Sequence, residues 1–119
     1  MKILSISDTE VSFIYSPHVA ERYPDVDLVL SCGDLSYFYL EYIISTLNVP
    51  LYYVRGNHAK SIEIGTMGER TEPWGGIDLH RRTVNDRGLL LAGLQGSLRY
   101  NQGPYQYTQE EKWSLVHSL

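Results

Sequence analysis

The sequence predicts an α/β domain in which a parallel-to-mixed β-sheet carries flanking helices. Three observations predict it. Short apolar runs at residues 2–7 (KILSIS), Leu28–Ser31 (LVLS) and 51–54 (LYYV) are near-continuous rather than alternating, as in strands covered on both faces. Tyr37–Leu47 (YFYLEYIISTL), between the second and third runs, is long enough for a helix, with Ser36 placed to cap it and Pro50 just beyond. The order strand, helix, strand, helix, strand then reads as two right-handed crossovers joining parallel strands.

The remaining elements follow in order. Ser16-Pro17 ahead of His18-Val19-Ala20-Glu21-Arg22-Tyr23 fits a cap followed by a first-turn proline, and so a short first helix. Residues 59–76 are rich in Gly and Pro and are expected to be loop. Residues 77–85 and 89–94 (LLLAGL) read as a pair of strands turned at Asp86-Arg87-Gly88. Residues 96–107 form a polar, Tyr-rich loop. Thr108 with Glu111 three residues on is a capping box, so a helix is expected over Gln109–His117.

Composition bounds the class. At 119 residues the chain is one domain. Ten Lys and Arg against 14 Asp and Glu leave a net charge of −4, which argues against specific nucleic-acid binding through phosphate neutralisation. Hydrophobic residues at 43% support a packed core. A lone cysteine, Cys32, cannot close an intrachain disulfide, so nothing points to a secreted, stapled fold. No apolar run approaches the roughly 18 residues of a membrane span, and Asp8 interrupts the amino-terminal run before it could act as a signal-peptide core. A cytoplasmic domain without a membrane partner is expected.

The three apolar runs end in polar residues of a particular kind: Asp8-Thr9-Glu10, Gly33-Asp34 and Gly56-Asn57-His58. In an open parallel sheet the carboxyl ends of the strands share one edge, where ligands bind. Taken singly, an Asp after a strand is a turn former and an Asn-His pair means little. Taken together, three carboxylates, a carboxamide and an imidazole would gather in one place. Two unit negative charges about 4 Å apart repel by roughly 4 kcal/mol at an effective dielectric of 20. The single Arg55 is too little to balance them, so a divalent cation is the economical answer, with Mn, Mg, Fe or Zn suited to the donors.

Asp8, Gly33-Asp34 and Gly56-Asn57-His58, each after a strand and in this order, resemble the calcineurin-like metallophosphoesterases. The resemblance implies the first half of an α-β-β-α sandwich, and metal-dependent hydrolysis of phosphate mono- or diesters by a metal-activated hydroxide. It implies two divalent metal ions, with Asp8 on one, Asp34 bridging both and Asn57 on the second. It also implies that His58 contacts the phosphate and serves as acid toward the leaving group. The substrate would be a small phosphate ester or a nucleotide.

Two features depart from the family pattern. Where the first motif is D-x-H, this chain has Glu10, which is either an oxygen ligand or a solvated loop residue. The later histidines of the family, including a Gly-His-x-His, have no counterpart: His18, His80 and His117 read as surface or packing residues. The chain is therefore expected to be an amino-terminal part of such a domain, and a catalytically impaired assembly module is the alternative. An apolar face left uncovered would favour a homo-oligomer through residues 89–94 and the last helix. Arg99, in the Tyr-rich loop, is a candidate phosphate-binding residue. A nucleotide-binding doubly wound domain fits poorly, because no glycine-rich loop follows the first strand.

Overall fold

The computed structural model describes residues 1–12, 14–57, 63–65, 68–101 and 103–119. In chain order its elements are β1 (Ile3–Ile6), α1 (Val19–Arg22), β2 (Leu28–Ser31), α2 (Tyr37–Leu47), β3 (Leu51–Tyr53), β4 (Glu63–Gly65), β5 (Gly68–Arg70), β6 (Ile77–Asp78), β7 (Arg82–Asp86), β8 (Leu89–Gly93), β9 (Ser97–Leu98), β10 (Gln106–Tyr107) and α3 (Gln109–His117). The chain is mixed α/β, with a parallel sheet in the order β1-β2-β3-β6 and flanking helices.

Register sorts the side chains between two layers, since successive residues of a strand face opposite sides. Leu4, Val29 and Leu51 stand in one row and join Val19, Tyr39, Leu40 and Ile43 of α1 and α2 in the main core. Leu30, Tyr52 and Ile77 stand in the next row and meet Leu79, Val84 and Leu91 in a second, smaller core. Full burial of side chains such as Ile43 and Leu51 contributes about 1.5–3 kcal/mol each.

Helix α2 has defined ends. The Ser36 hydroxyl accepts from the Tyr39 backbone N–H at 3.2 Å, and Asn48, in the left-handed region at φ 52°, closes the last turn onto Ile44. Glu41 on this helix forms an ion pair at 2.7 Å with Arg70, whose side chain is 3% exposed and whose guanidinium lies over the Trp74 ring. That pair ties β5 to the helix layer.

The structure revises four local readings, the first being that α1 starts at Val19 from an N-cap His18 that makes no side-chain cap bond, so Ser16 and Pro17 precede the helix. The stretch expected to be loop contains the antiparallel pair β4–β5. The single strand expected over residues 77–85 is two: β6 runs parallel to β3, and the chain then turns at Arg81, φ 57°, into β7. The Tyr-rich loop encloses the two-residue parallel pair β9–β10. The β7–β8 hairpin turns at Arg87 and Gly88, both left-handed (φ 52° and 91°), as a two-residue primed turn requires. Arg87 bonds to Asp86 and to the Asp27 carbonyl, and Tyr52 donates to Asp86 at 2.6 Å, fastening the hairpin to the sheet.

Between the ends of β2 and β3 and strand β8 lies a groove of about 340 Å³, lined by Leu30, Cys32, Tyr52, Val54, Leu79, Leu91 and Leu94 among others. Leu90 and Trp113 are exposed, and α3 buries none of its residues. No helix among the described residues is long and apolar enough to cross a membrane.

Candidate metal centre at the strand ends

The ladder of the parallel sheet continues past the strands themselves. Cys32 N–H donates to the Ile6 carbonyl at 2.9 Å, Asp8 N–H to the Gly33 carbonyl at 3.1 Å, and Val54 N–H to the Ser31 carbonyl at 3.1 Å. These bonds hold the turns after β1, β2 and β3 side by side. Asp8 and Asp34 both take left-handed backbone, at φ 65° and 62°, which lifts each side chain off its strand direction. Gly33, at φ 111°, and Gly56 are in backbone contact: a Cβ on Gly33 would come within 2.8 Å of Gly56 N. A Cβ on Gly56 would overlap the Asp34 carboxylate. Only glycine at position 56 leaves that carboxylate its place against this turn.

The predicted residues make the following contacts of their own. Glu10, exposed, accepts a hydrogen bond of 2.5 Å from the Ser36 hydroxyl, two residues beyond Asp34. Asn57 donates its Nδ2 to the Tyr100 hydroxyl at 2.6 Å. Arg99, exposed, donates its Nη2 to the Gln106 carbonyl within its own loop. His58 lies outside the described residues. His18 faces Glu21 at 3.5 Å, and His117 stacks on Trp113. His80 Nδ1 accepts from the Gln95 backbone N–H, and burial pushes its pKa down.

Arg55, the cation nearest in sequence, is committed elsewhere. It donates to Asp78 at 2.9 Å, to the Tyr37 hydroxyl at 3.2 Å and to the Thr71 carbonyl at 3.1 Å. Burial opposes its charge, but the bond to Tyr37 and the neighbouring Tyr53 and Asp78 outweigh it and hold the guanidinium above its ordinary pKa. Burial in turn pushes Tyr53 up to about 12.

Among the described residues no three His, Cys, Asp or Glu side chains are grouped to hold a metal ion. The three adjacent ends instead carry two carboxylates and a carboxamide. All are oxygen donors, a set that suits a hard divalent cation, and the glycine-lined seat under Asp34 is consistent with that use. Tyr100 is the site residue that sequence reasoning missed. It stands 43 positions from Asn57, and its only signal is membership of a Tyr-rich loop.

Comparison of the chain with protein-family models, with curated proteins and with solved structures finds no match in any of the three.

Proposed function

We propose that the chain is a divalent-metal-dependent phosphoesterase domain of the cytoplasm, similar to the first half of the calcineurin-like metallophosphoesterase sandwich, acting on phosphate mono- or diesters of small molecules or nucleotides. The supporting observation is the side-by-side placement of three consecutive strand ends bearing Asp8, Asp34 and Asn57, with the Asp34 carboxylate seated on Gly56. In this reading Asp8, Asp34 and the Asn57 carboxamide oxygen hold one or two cations, with Glu10 as a further oxygen donor. Bound cations (Mn, Fe, Zn or Mg) supply charge neutralisation of the phosphoryl oxygens and a lowered pKa for water. His58 gives a proton to the departing oxygen, a task suited to an imidazole titrating near neutrality. Arg99 offers a guanidinium to the phosphate from the loop that also carries Tyr100.

The test is Mn²⁺ uptake together with hydrolysis of an aryl phosphate diester. Asp34→Asn is expected to lose metal. His58→Ala is expected to keep it while losing about 10²–10⁴-fold in rate. A chain that takes up no metal and turns over no ester refutes the reading. A second reading is favoured by the lack of a three-residue His, Cys, Asp or Glu group among the described residues: an assembly module retaining the fold. Metal without turnover, indifference to His58→Ala and a dimer in sedimentation would mark that one.

A further inference from the structure

Resting on the phosphoesterase reading, we propose that the Tyr100 ring is a stacking platform that selects phosphate esters bearing a flat heteroaromatic ring, nucleoside phosphates among them. The side chain is fixed at one end by its hydroxyl, which accepts from Asn57 Nδ2 at 2.6 Å. The backbone behind it is braced as well. Gln106, buried, accepts from the backbone N–H groups of Tyr100 and Asn101 at 3.0 and 3.1 Å, and donates to the Asn101 side chain at 2.6 Å. Gly96 N–H donates to the Arg55 carbonyl at 2.7 Å, which docks the loop on the chain two residues before Asn57. A group esterified to a phosphate at the strand ends therefore comes within reach of the ring.

The ring itself is left open, with Tyr100 61% exposed. Several other tyrosines are covered: the Arg55 guanidinium lies over the Tyr37 and Tyr53 rings, Lys112 lies over Tyr107, and Tyr15 meets Tyr39 edge-on. Among the described residues no ring or cation stacks on Tyr100. Held in place yet uncovered, the ring offers a large, rigid contact area at low conformational-entropy cost. Every nucleobase presents a π-face that stacks on such a ring, whereas a bare sugar phosphate or an alkyl ester has none. The platform sorts substrates by what the phosphate is attached to.

The test titrates the 119-residue chain with adenosine 5′-monophosphate and with ribose 5-phosphate in the presence of Mn²⁺, followed by calorimetry. The two ligands share phosphate and ribose and differ in the base. The parent is expected to bind the nucleotide about tenfold more tightly. Tyr100→Leu is expected to bring that ratio to about one while leaving the affinity for ribose 5-phosphate unchanged, and Tyr100→Phe, which keeps the ring, to preserve it within about threefold. With Mg²⁺ as a diamagnetic cation, the Tyr100 ring protons are expected to move upfield on adding the nucleotide and to stay in place on adding the sugar phosphate. Equal affinities in the parent, or a ratio that survives Tyr100→Leu, overturn the platform and leave the phosphoesterase reading standing. Unshifted ring protons in a chain that binds the nucleotide do the same. Binding of neither ligand also overturns the platform, and takes the phosphoesterase reading with it only when the chain in addition takes up no Mn²⁺ and turns over no ester.

Discussion

Replacing Gly56 by Ala tests the geometry of the strand ends directly. The three heavy atoms nearest the new methyl group all belong to Asp34: Oδ1 and Cγ, which it would overlap, and the backbone nitrogen at 2.8 Å. Turning the Asp34 side chain away clears the first two but not the third. The nitrogen must retreat beyond 3.0 Å, below which real Cβ contacts essentially never fall, so the two turns must part. Overpacking of this kind costs about 1–3 kcal/mol, which for a domain of this size lowers the melting temperature by on the order of 5–15 °C. Thermal unfolding followed by circular dichroism measures it. Gly88→Ala is the control, because its Cβ would meet nothing within 4 Å and only its left-handed backbone, φ 91°, carries a cost. Mn²⁺ affinity is expected to fall in Gly56→Ala and not in Gly88→Ala. A Gly56→Ala protein that melts within about 1 °C of its parent would falsify the claim that these turns pack backbone against backbone.

Two further outcomes follow from other parts of the fold. Arg70→Met leaves the Glu41 carboxylate without its guanidinium and is expected to destabilise by about 3 kcal/mol, with Glu41→Gln added to the same chain recovering at least half; a single variant as stable as the parent refutes this. Asp86 is held below the usual carboxylate pKa by the Tyr52 hydroxyl first and Arg87 second. Its contribution is therefore complete above the unfolded value of about 3.9 and disappears as pH falls through the lower folded value. Asp86→Asn should melt below the parent near neutral pH, with the gap closing toward about pH 2. A gap that is constant with pH contradicts the assignment.

Much of the scaffold was legible because its signals are local. Ser36 and Pro50 bracket α2, whose observed bounds, Tyr37–Leu47, are those expected. The capping box at Thr108 and Glu111 is present as read, and α3 spans Gln109–His117. Gly88 marked the hairpin turn, where Asp86 and Leu89 pair across it. What escaped was set by tertiary context. The break between β6 and β7 falls on Arg81, a left-handed residue that nothing in an Ile-Asp-Leu-His-Arg-Arg pattern announces. Strand pair β9–β10 is two residues long, too short for any periodicity. At the candidate site, Gly33-Asp34 and Gly56-Asn57 flagged tight turns. The link from Asn57 to Tyr100 spans the chain and has no local counterpart, and Arg99, the more conspicuous charge, bonds within its own loop.

The backbone conformation shared by Asp8 and Asp34 has a consequence for how this site can change over evolutionary time. Most side chains incur about 1–2 kcal/mol in the left-handed region, while glycine, asparagine and aspartate enter it with least resistance. Drift at either position is therefore channelled. Asparagine and glycine shed the negative charge while keeping the path of the chain, glutamate keeps the charge at the expense of the path, and the remaining uncharged residues disturb both. On the proposed metal-binding reading, a lineage that abandoned that use would carry those two residues at positions 8 and 34, keeping the bend without the charge.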